Sequence, residues 1–202
     1  VLDGVTPRVA PMIDVRELGG LLQRAGLALP VADLDRTMVR YADDFVILCR
    51  SAAEATDALD VVRAWVEAEG LQLHPDKTHV GDCRIAGQGF EFLGYRFEAG
   101  RRRVRDKSLK ALKAKIRSRT RRTEGKSLKQ IVSGLNPMLR GWFNYFKHAQ
   151  RGVFQMLDGF IRRRLRALLR KQAKRPGAGR CLADHRLWPN AFFAAAGLFT
   201  MT

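Results

Sequence analysis

The first half of the chain mixes short β-prone runs with one stretch of helical period, and in the second half apolar positions recur every three to four residues throughout. Met38-Val39-Arg40-Tyr41 and Phe45-Val46-Ile47-Leu48-Cys49 are β-prone runs separated by Ala42-Asp43-Asp44, a pattern that predicts a hairpin with an acidic tip. Ser51 and Glu54 have capping-box spacing. Leu59, Val62, Trp65 and Val66 mark the apolar face of the helix they open, and Gly70 ends it. Leu71-Gln72-Leu73 alternates as a short strand closed by His74-Pro75. Residues 79–85 and 90–97 read as two more strands around Gly87 and Gly89. Pro7, Pro11, Gly19, Gly20, Gly26 and Pro30 break up residues 1–36, where Ile13, Leu18, Leu21 and Leu22 predict a short helix over 12–25.

Beyond Asp106 the pattern is helical throughout. Leu109, Leu112 and Ile116 line a very basic helix, and a second short helix is predicted over about 127–134. Asn136-Pro137 has the form of an N-cap followed by proline at the first helical position, so a third helix carries Leu139, Trp142, Phe143 and Phe146. A fourth, over about 152–173, turns Phe154, Leu157, Phe160, Ile161, Leu165, Leu168 and Leu169 inward and stops before Pro176-Gly177-Ala178-Gly179. The segment from Trp188 to Phe193 is too apolar for a free tail and is expected to pack back. The fold class is therefore α+β: antiparallel strands with a helix, then an all-helical half, with the boundary near residues 98–105.

Charge sharpens that division. The 202 residues carry a formal net charge of +17. Residues 1–100 hold 10 basic and 16 acidic side chains, whereas residues 101–202 hold 27 and 4. The helical half thus suits a polyanion, with nucleic acid favoured over an anionic membrane surface, and affinity should fall steeply with salt. At 46% hydrophobic residues the chain can bury a core. Cys49, Cys83 and Cys181 form no C-x-x-C pair, which argues against a disulfide framework and a cysteine-rich zinc site. No apolar run reaches the ~20 residues of a bilayer span, and no basic-then-apolar leader opens the chain; the expectation is a soluble protein of a reducing, cytoplasmic compartment, with no membrane partner.

The adjacent carboxylates Asp43 and Asp44 are the strongest chemical feature. At a hairpin tip they can present oxygens to hard divalent cations, and two such cations can activate a hydroxyl and stabilise a leaving oxygen in phosphoryl transfer. Taken alone, the dipeptide is better read as an acidic surface turn, since Asp is a common turn residue; the flanking strand runs shift that balance. Trp142, Phe143 and Phe146 are expected in the core, with Tyr145 the exposed aromatic. Arg162, Arg163, Arg164, Arg166, Arg170 and Lys171 share a helix whose other face is apolar, as a phosphate-tracking stripe would. His148 and His185 lack metal-ligand spacing, so structural or RNA-contact roles outrank a metal.

These residues carry a family resemblance. Tyr41-Ala42-Asp43-Asp44-Phe45 resembles the catalytic hairpin of reverse transcriptases. The segment Gly70 to Thr78 and the run Phe90-Glu91-Phe92-Leu93-Gly94-Tyr95 resemble the next two blocks of that family, in order. Leu135 to Phe146 is similar to the maturase-specific domain of bacterial group II intron-encoded proteins, as is the tail from Asp184 to Phe199. The resemblance implies a partial reverse transcriptase palm over residues 37–100 and a thumb, or maturase-specific RNA-binding domain, over 101–202. Asp43 and Asp44 would bind Mg²⁺ (or Mn²⁺) and act in catalysis. Tyr41, Ala42, Lys77, Phe92, Leu93, Gly94 and Tyr95 would contact the nucleotide or primer. Candidate RNA contacts are Arg101, Arg102, Arg103, Lys110, Lys113 and Arg117, then Arg140, Tyr145 and Lys147, then Arg162, Arg163, Arg166, Arg170 and Lys171. Implied partners are group II intron RNA, a template–primer duplex and dNTPs if the chain is active.

The resemblance is incomplete. The family's upstream palm block supplies a third carboxylate, and Asp14, Asp33 and Asp35 lie in no run that resembles it; residues 1–36 stay unassigned, as degenerate or partly disordered sequence. Two carboxylates hold two divalent ions poorly, since each favours about six oxygen ligands. The expectation is an incomplete fragment of an RNA-directed DNA polymerase/maturase, weak or inactive as the isolated chain; the alternative is a non-catalytic RNA-binding protein aiding intron splicing.

Overall fold

A computed structural model describes residues 12–15, 37–41, 44–75 and 78–202, the first stretch by backbone alone. Two compact units meet between Arg103 and Val104.

The first unit is built around one strand that is apolar on both faces. β1 (Met12–Val15), β2 (Thr37–Tyr41), β3 (Asp44–Leu48) and β4 (His79–Gly81) form an antiparallel sheet in the order β2-β3-β1-β4. Successive β3 side chains point to opposite faces. Phe45 and Ile47 pack with Ala55, Ala58, Val62 and Val66 of helix α1 (Ala52–Ala68), while Val46 packs with Cys83, Phe90 and Phe92. The small alanines on α1 let the helix approach the sheet closely. Ser51 caps it by accepting from the Glu54 N–H, and Glu54 reaches back to the Arg50 N–H rather than to that of Ser51. Gly70, at φ 71°, ends the helix, and the Leu71 N–H closes on the Val66 carbonyl.

Several sequence expectations change here. Met12–Val15 is a strand, not the start of a helix over 12–25; the rest of that segment lies outside the described residues. β1 completes two ladders at once, pairing Ile13 with Ile47 and with Val80, and a helix there would leave both neighbouring edges open. Leu71-Gln72-Leu73 is not a strand, and Leu71 and Leu73 pack instead against the α1 core. The strand predicted over 79–85 ends at Gly81, where Asp82 gathers the Arg84 and Ile85 N–H groups into a turn. The run 90–97 is two strands, β5 (Phe90–Phe92) and β6 (Tyr95–Glu98), because Leu93 and Gly94 both take positive φ (49° and 78°), as a tight two-residue hairpin requires. A second such turn at Ala99-Gly100 leads to β7 (Arg101–Val104), whose three arginines hid its strand character.

The second unit is helical: α2 (Asp106–Arg119), α3 (Leu128–Phe146), α4 (Gly152–Gln172), α5 (Leu182–Leu187) and α6 (Asn190–Ala195). Ile116, Leu135, Leu139, Leu157, Ile161, Leu165 and Phe193 are fully buried, each contributing roughly 1.5–3 kcal/mol of transfer free energy. The two helices predicted over 127–134 and from Pro137 are one continuous helix. Pro137 lies on its exposed side, where water can satisfy the carbonyl that proline leaves unbonded, while Ile131, Val132, Leu135 and Leu139 hold the buried side. The true N-cap is Ser127, in a reciprocal capping box with Gln130. Asn136 clamps the tail instead: its amide donates to the Gly197 carbonyl at 2.8 Å and accepts from the Phe199 N–H at 2.9 Å. α4 ends at Gln172, and Lys174, in the left-handed region at φ 54°, turns the chain away two residues before Pro176. The tail packs back as expected, with Phe193, Leu198 and Met201 buried.

Candidate functional site

In the first unit the hairpin geometry is tight. Tyr41 pairs with Asp44 as the last rung between β2 and β3, so Ala42 and Asp43 form the connection; both lie outside the described residues, as does Lys77. Asp44 is half-buried at the start of β3 and Tyr41 is 64% exposed. The structure also brings forward a carboxylate position that the sequence reading set aside. β1 runs antiparallel beside β3, with Val15 opposite Phe45 and Asp14 opposite Val46, two positions along the strand from Asp44. A signal existed in the short β-prone run Met12-Ile13-Asp14-Val15, but four residues among proline and glycine breaks do not specify a strand without its partners. Among the described residues, no three His, Cys, Asp or Glu side chains converge as a metal site.

The β5–β6 hairpin divides the candidate primer contacts. Phe92 is buried, and Leu93 packs against the same Val46 cluster, so both hold the hairpin in place rather than line a binding surface. Gly94 supplies the positive φ of the turn. Tyr95 is the half-exposed member; its ring lies 6.2 Å from that of Phe97 and under the Arg102 guanidinium at 5.8 Å. Arg101 and Arg103 are exposed beside it on β7.

In the second unit the basic side chains gather around one aromatic ring. Lys113 and Arg117 of α2 and Arg163 of α4 surround Phe160 at 6.0, 5.5 and 5.5 Å from its centroid. Phe160 is therefore half-buried beneath cations, not inward as the helical spacing suggested. Lys110, Lys147 and Lys171 are exposed, Arg140 lies over the Phe199 ring at 4.7 Å, and Tyr145 is 53% exposed against Phe146. Trp142 and Phe143 pack edge-on against Phe154.

The arginines of α4 do not form one exposed stripe. Arg166 is 2% exposed; its Nε donates to the Trp188 carbonyl at 2.9 Å and its Nη2 to Asn190 Oδ1 at 3.0 Å, with the guanidinium over Phe193. Burial, then the charge of Arg162, holds its pKa below the usual arginine value, with Asp184 acting the other way. Arg170 donates to Asp184 at 2.5 Å and to the Pro176 carbonyl. Arg164 ties α4 to the end of α2 by donating to Thr120 Oγ1 and to the Thr120 and Arg117 carbonyls. Only Arg162 and Arg163 of this group remain half-exposed without such a commitment to a carbonyl or carboxylate.

No helix among the described residues is long and apolar enough to cross a membrane. Two family models match the chain. Residues 9–97 match the reverse transcriptase (RNA-dependent DNA polymerase) model, and residues 109–188 match the group II intron, maturase-specific domain model. A comparison with curated proteins finds no match.

Proposed function

We propose that this chain, which belongs to the group II intron reverse transcriptase/maturases, uses its second unit to grip intron RNA and its first for metal-dependent nucleotidyl transfer onto a primer end. The observation that carries the reading is an ordered pair. A reverse transcriptase match includes the β2–β3 hairpin, whose last rung pairs Tyr41 with Asp44, and a maturase-specific match follows it on helices bearing a cationic cluster around Phe160.

Asp43 and Asp44 offer carboxylate oxygens, the donors preferred by Mg²⁺ and Mn²⁺, and Asp14 is the further carboxylate that strand register favours. A bound divalent ion would stabilise charge on the attacking hydroxyl and the leaving oxygen. The chain's own contribution would be to hold the ion through these acids and to keep the primer end near Tyr41 and Tyr95. Intron RNA, a template–primer duplex and dNTPs are the corresponding partners.

Primer extension on poly(rA) with Mg²⁺ or Mn²⁺ tests the catalytic half. Weak extension is expected from the isolated chain, abolished by Asp43→Ala and by Asp44→Ala while RNA binding stays within twofold. Extension that survives Asp43→Ala removes these acids from the mechanism. Complete absence of extension beside intact RNA binding leaves a non-catalytic splicing role. Filter binding tests the other half: log affinity against log salt should fall steeply, by about 0.7–0.9 per phosphate contact. A flat slope removes the maturase function.

A further inference from the structure

The second unit contains a cavity of about 400 Å³ that neither the hairpin chemistry nor the family matches assign. Gly159, Arg162, Arg163 and Arg166 lie at successive turns along one face of α4 and form its floor. Arg180, His185 and Asn190 close it from the segment after α4 and from α5 and α6. No Asp or Glu lines it. Asp184, the buried carboxylate of this region, is already held by Arg170 and by the Cys181 N–H. Four guanidinium groups therefore share one concavity that no carboxylate lines, with Asp184 behind it bonded to Arg170.

The cavity is built rather than incidental. Arg166 is 2% exposed and fixed by bonds through Nε and Nη2, which leave its Nη1 uncommitted. Gly179 lets the loop lie directly on α4; a Cβ there would come within 2.5 Å of the Ala167 nitrogen and 2.9 Å of the Arg163 carbonyl. That close approach carries Arg180 to the cavity rim. Gly159 leaves open space where a side chain would stand, since a Cβ placed on it meets nothing within 4 Å.

We propose that this cavity binds a phosphate group. The guanidinium fork matches phosphate oxygens two at a time, and the volume exceeds that of one phosphate, leaving room for an attached sugar. The inference rests on the RNA-binding reading for its ligand's source, a backbone phosphodiester of a structured RNA. A free phosphate is the other source of the same chemistry.

Gly159→Leu fills the cavity without changing charge, and Gly159→Ala is its control, since both replace glycine inside a helix. Using the full chain, a fluorescein-labelled RNA hairpin is titrated by anisotropy, and inorganic phosphate is titrated separately at constant ionic strength by thermal shift. Gly159→Leu should weaken RNA binding at least fivefold relative to Gly159→Ala and lower the salt slope by about one. Arg162→Gln combined with Arg180→Gln should do the same, while Lys107→Gln, on α2 and outside the cavity, should change affinity less than twofold. If Gly159→Leu fails to fold by circular dichroism, the double arginine variant decides the question. RNA binding that is steep in salt but indifferent to the pocket variants overturns the cavity assignment and leaves the RNA-binding reading standing. No RNA binding by the wild-type chain, beside a phosphate-induced thermal shift that Gly159→Leu abolishes, overturns that reading and keeps the cavity as a free-phosphate site.

Discussion

Asn136 separates two accounts of the central helix of the second unit. As the N-cap of a helix beginning at Pro137, it would tolerate serine, because Ser and Asn cap about equally well. In the structure it is the ninth residue of α3, well past the Ser127 cap, and its amide bridges Gly197 and Phe199. A serine hydroxyl is too short to span both partners. Each lost hydrogen bond is worth about 0.5–1.5 kcal/mol net. The Gly197 carbonyl is exposed and can turn to water, whereas the Phe199 N–H is partly buried and carries most of the cost. Asn136→Ser should therefore destabilise the second unit by about 1–2 kcal/mol, which for a unit of this size lowers its midpoint by about 4–8 °C per kcal/mol. Ser127→Ala, which removes the actual cap, should cost about 1 kcal/mol, and Ser127→Asn almost nothing. Thermal and urea unfolding followed by tryptophan fluorescence gives both values, and amide exchange at Phe199 should accelerate only in Asn136→Ser. The reasoning fails if Asn136→Ser unfolds within ~0.3 kcal/mol of wild type with Phe199 protection unchanged.

Two further outcomes follow from the same unit. Leu135→Ala, at a position with no exposure, should cost about 2–5 kcal/mol, against under ~1 kcal/mol for Met156→Ala at 42% exposure; equal losses in urea unfolding would place the core elsewhere. Burial pushes the Asp184 carboxyl up, but the bonds from Cys181 and Arg170 outweigh it and its pKa lies below the ordinary aspartate value. Its contribution to stability is therefore present above the unfolded aspartate range, near pH 4, and is lost as pH falls through the folded pKa. The gap in urea midpoint between wild type and Asp184→Asn should narrow from pH 7 to pH 3, and a gap constant with pH would contradict that linkage.

The β2–β3 hairpin, α1, α2 and α4 were legible in the chain because each declares itself within about twenty residues, through a period, a cap or a turn. The same local signals revealed the Tyr41 to Asp44 block and the excess of arginine and lysine beyond residue 100. They did not reveal β1, whose four residues become a strand only between β3 and β4, partners more than thirty residues away. Nor did they reveal that α3 runs through Pro137, which depends on which side of the helix meets the core.

The amino-acid sequence by itself determined the lineage, the acidic hairpin and the basic character of the helical half, because residue type and short-range spacing carry that information. Tertiary structure alone decided which arginines are available to a ligand. Arg162 and Arg166 are four residues apart on one helix and both line the cavity, yet Arg162 is half-exposed while Arg166 is buried, with Nε and Nη2 held by Trp188 and Asn190 and Nη1 left to a ligand. A guanidinium's role is set by the carbonyls and carboxylates that reach it from distant parts of the chain, and no periodicity along α4 encodes their arrival.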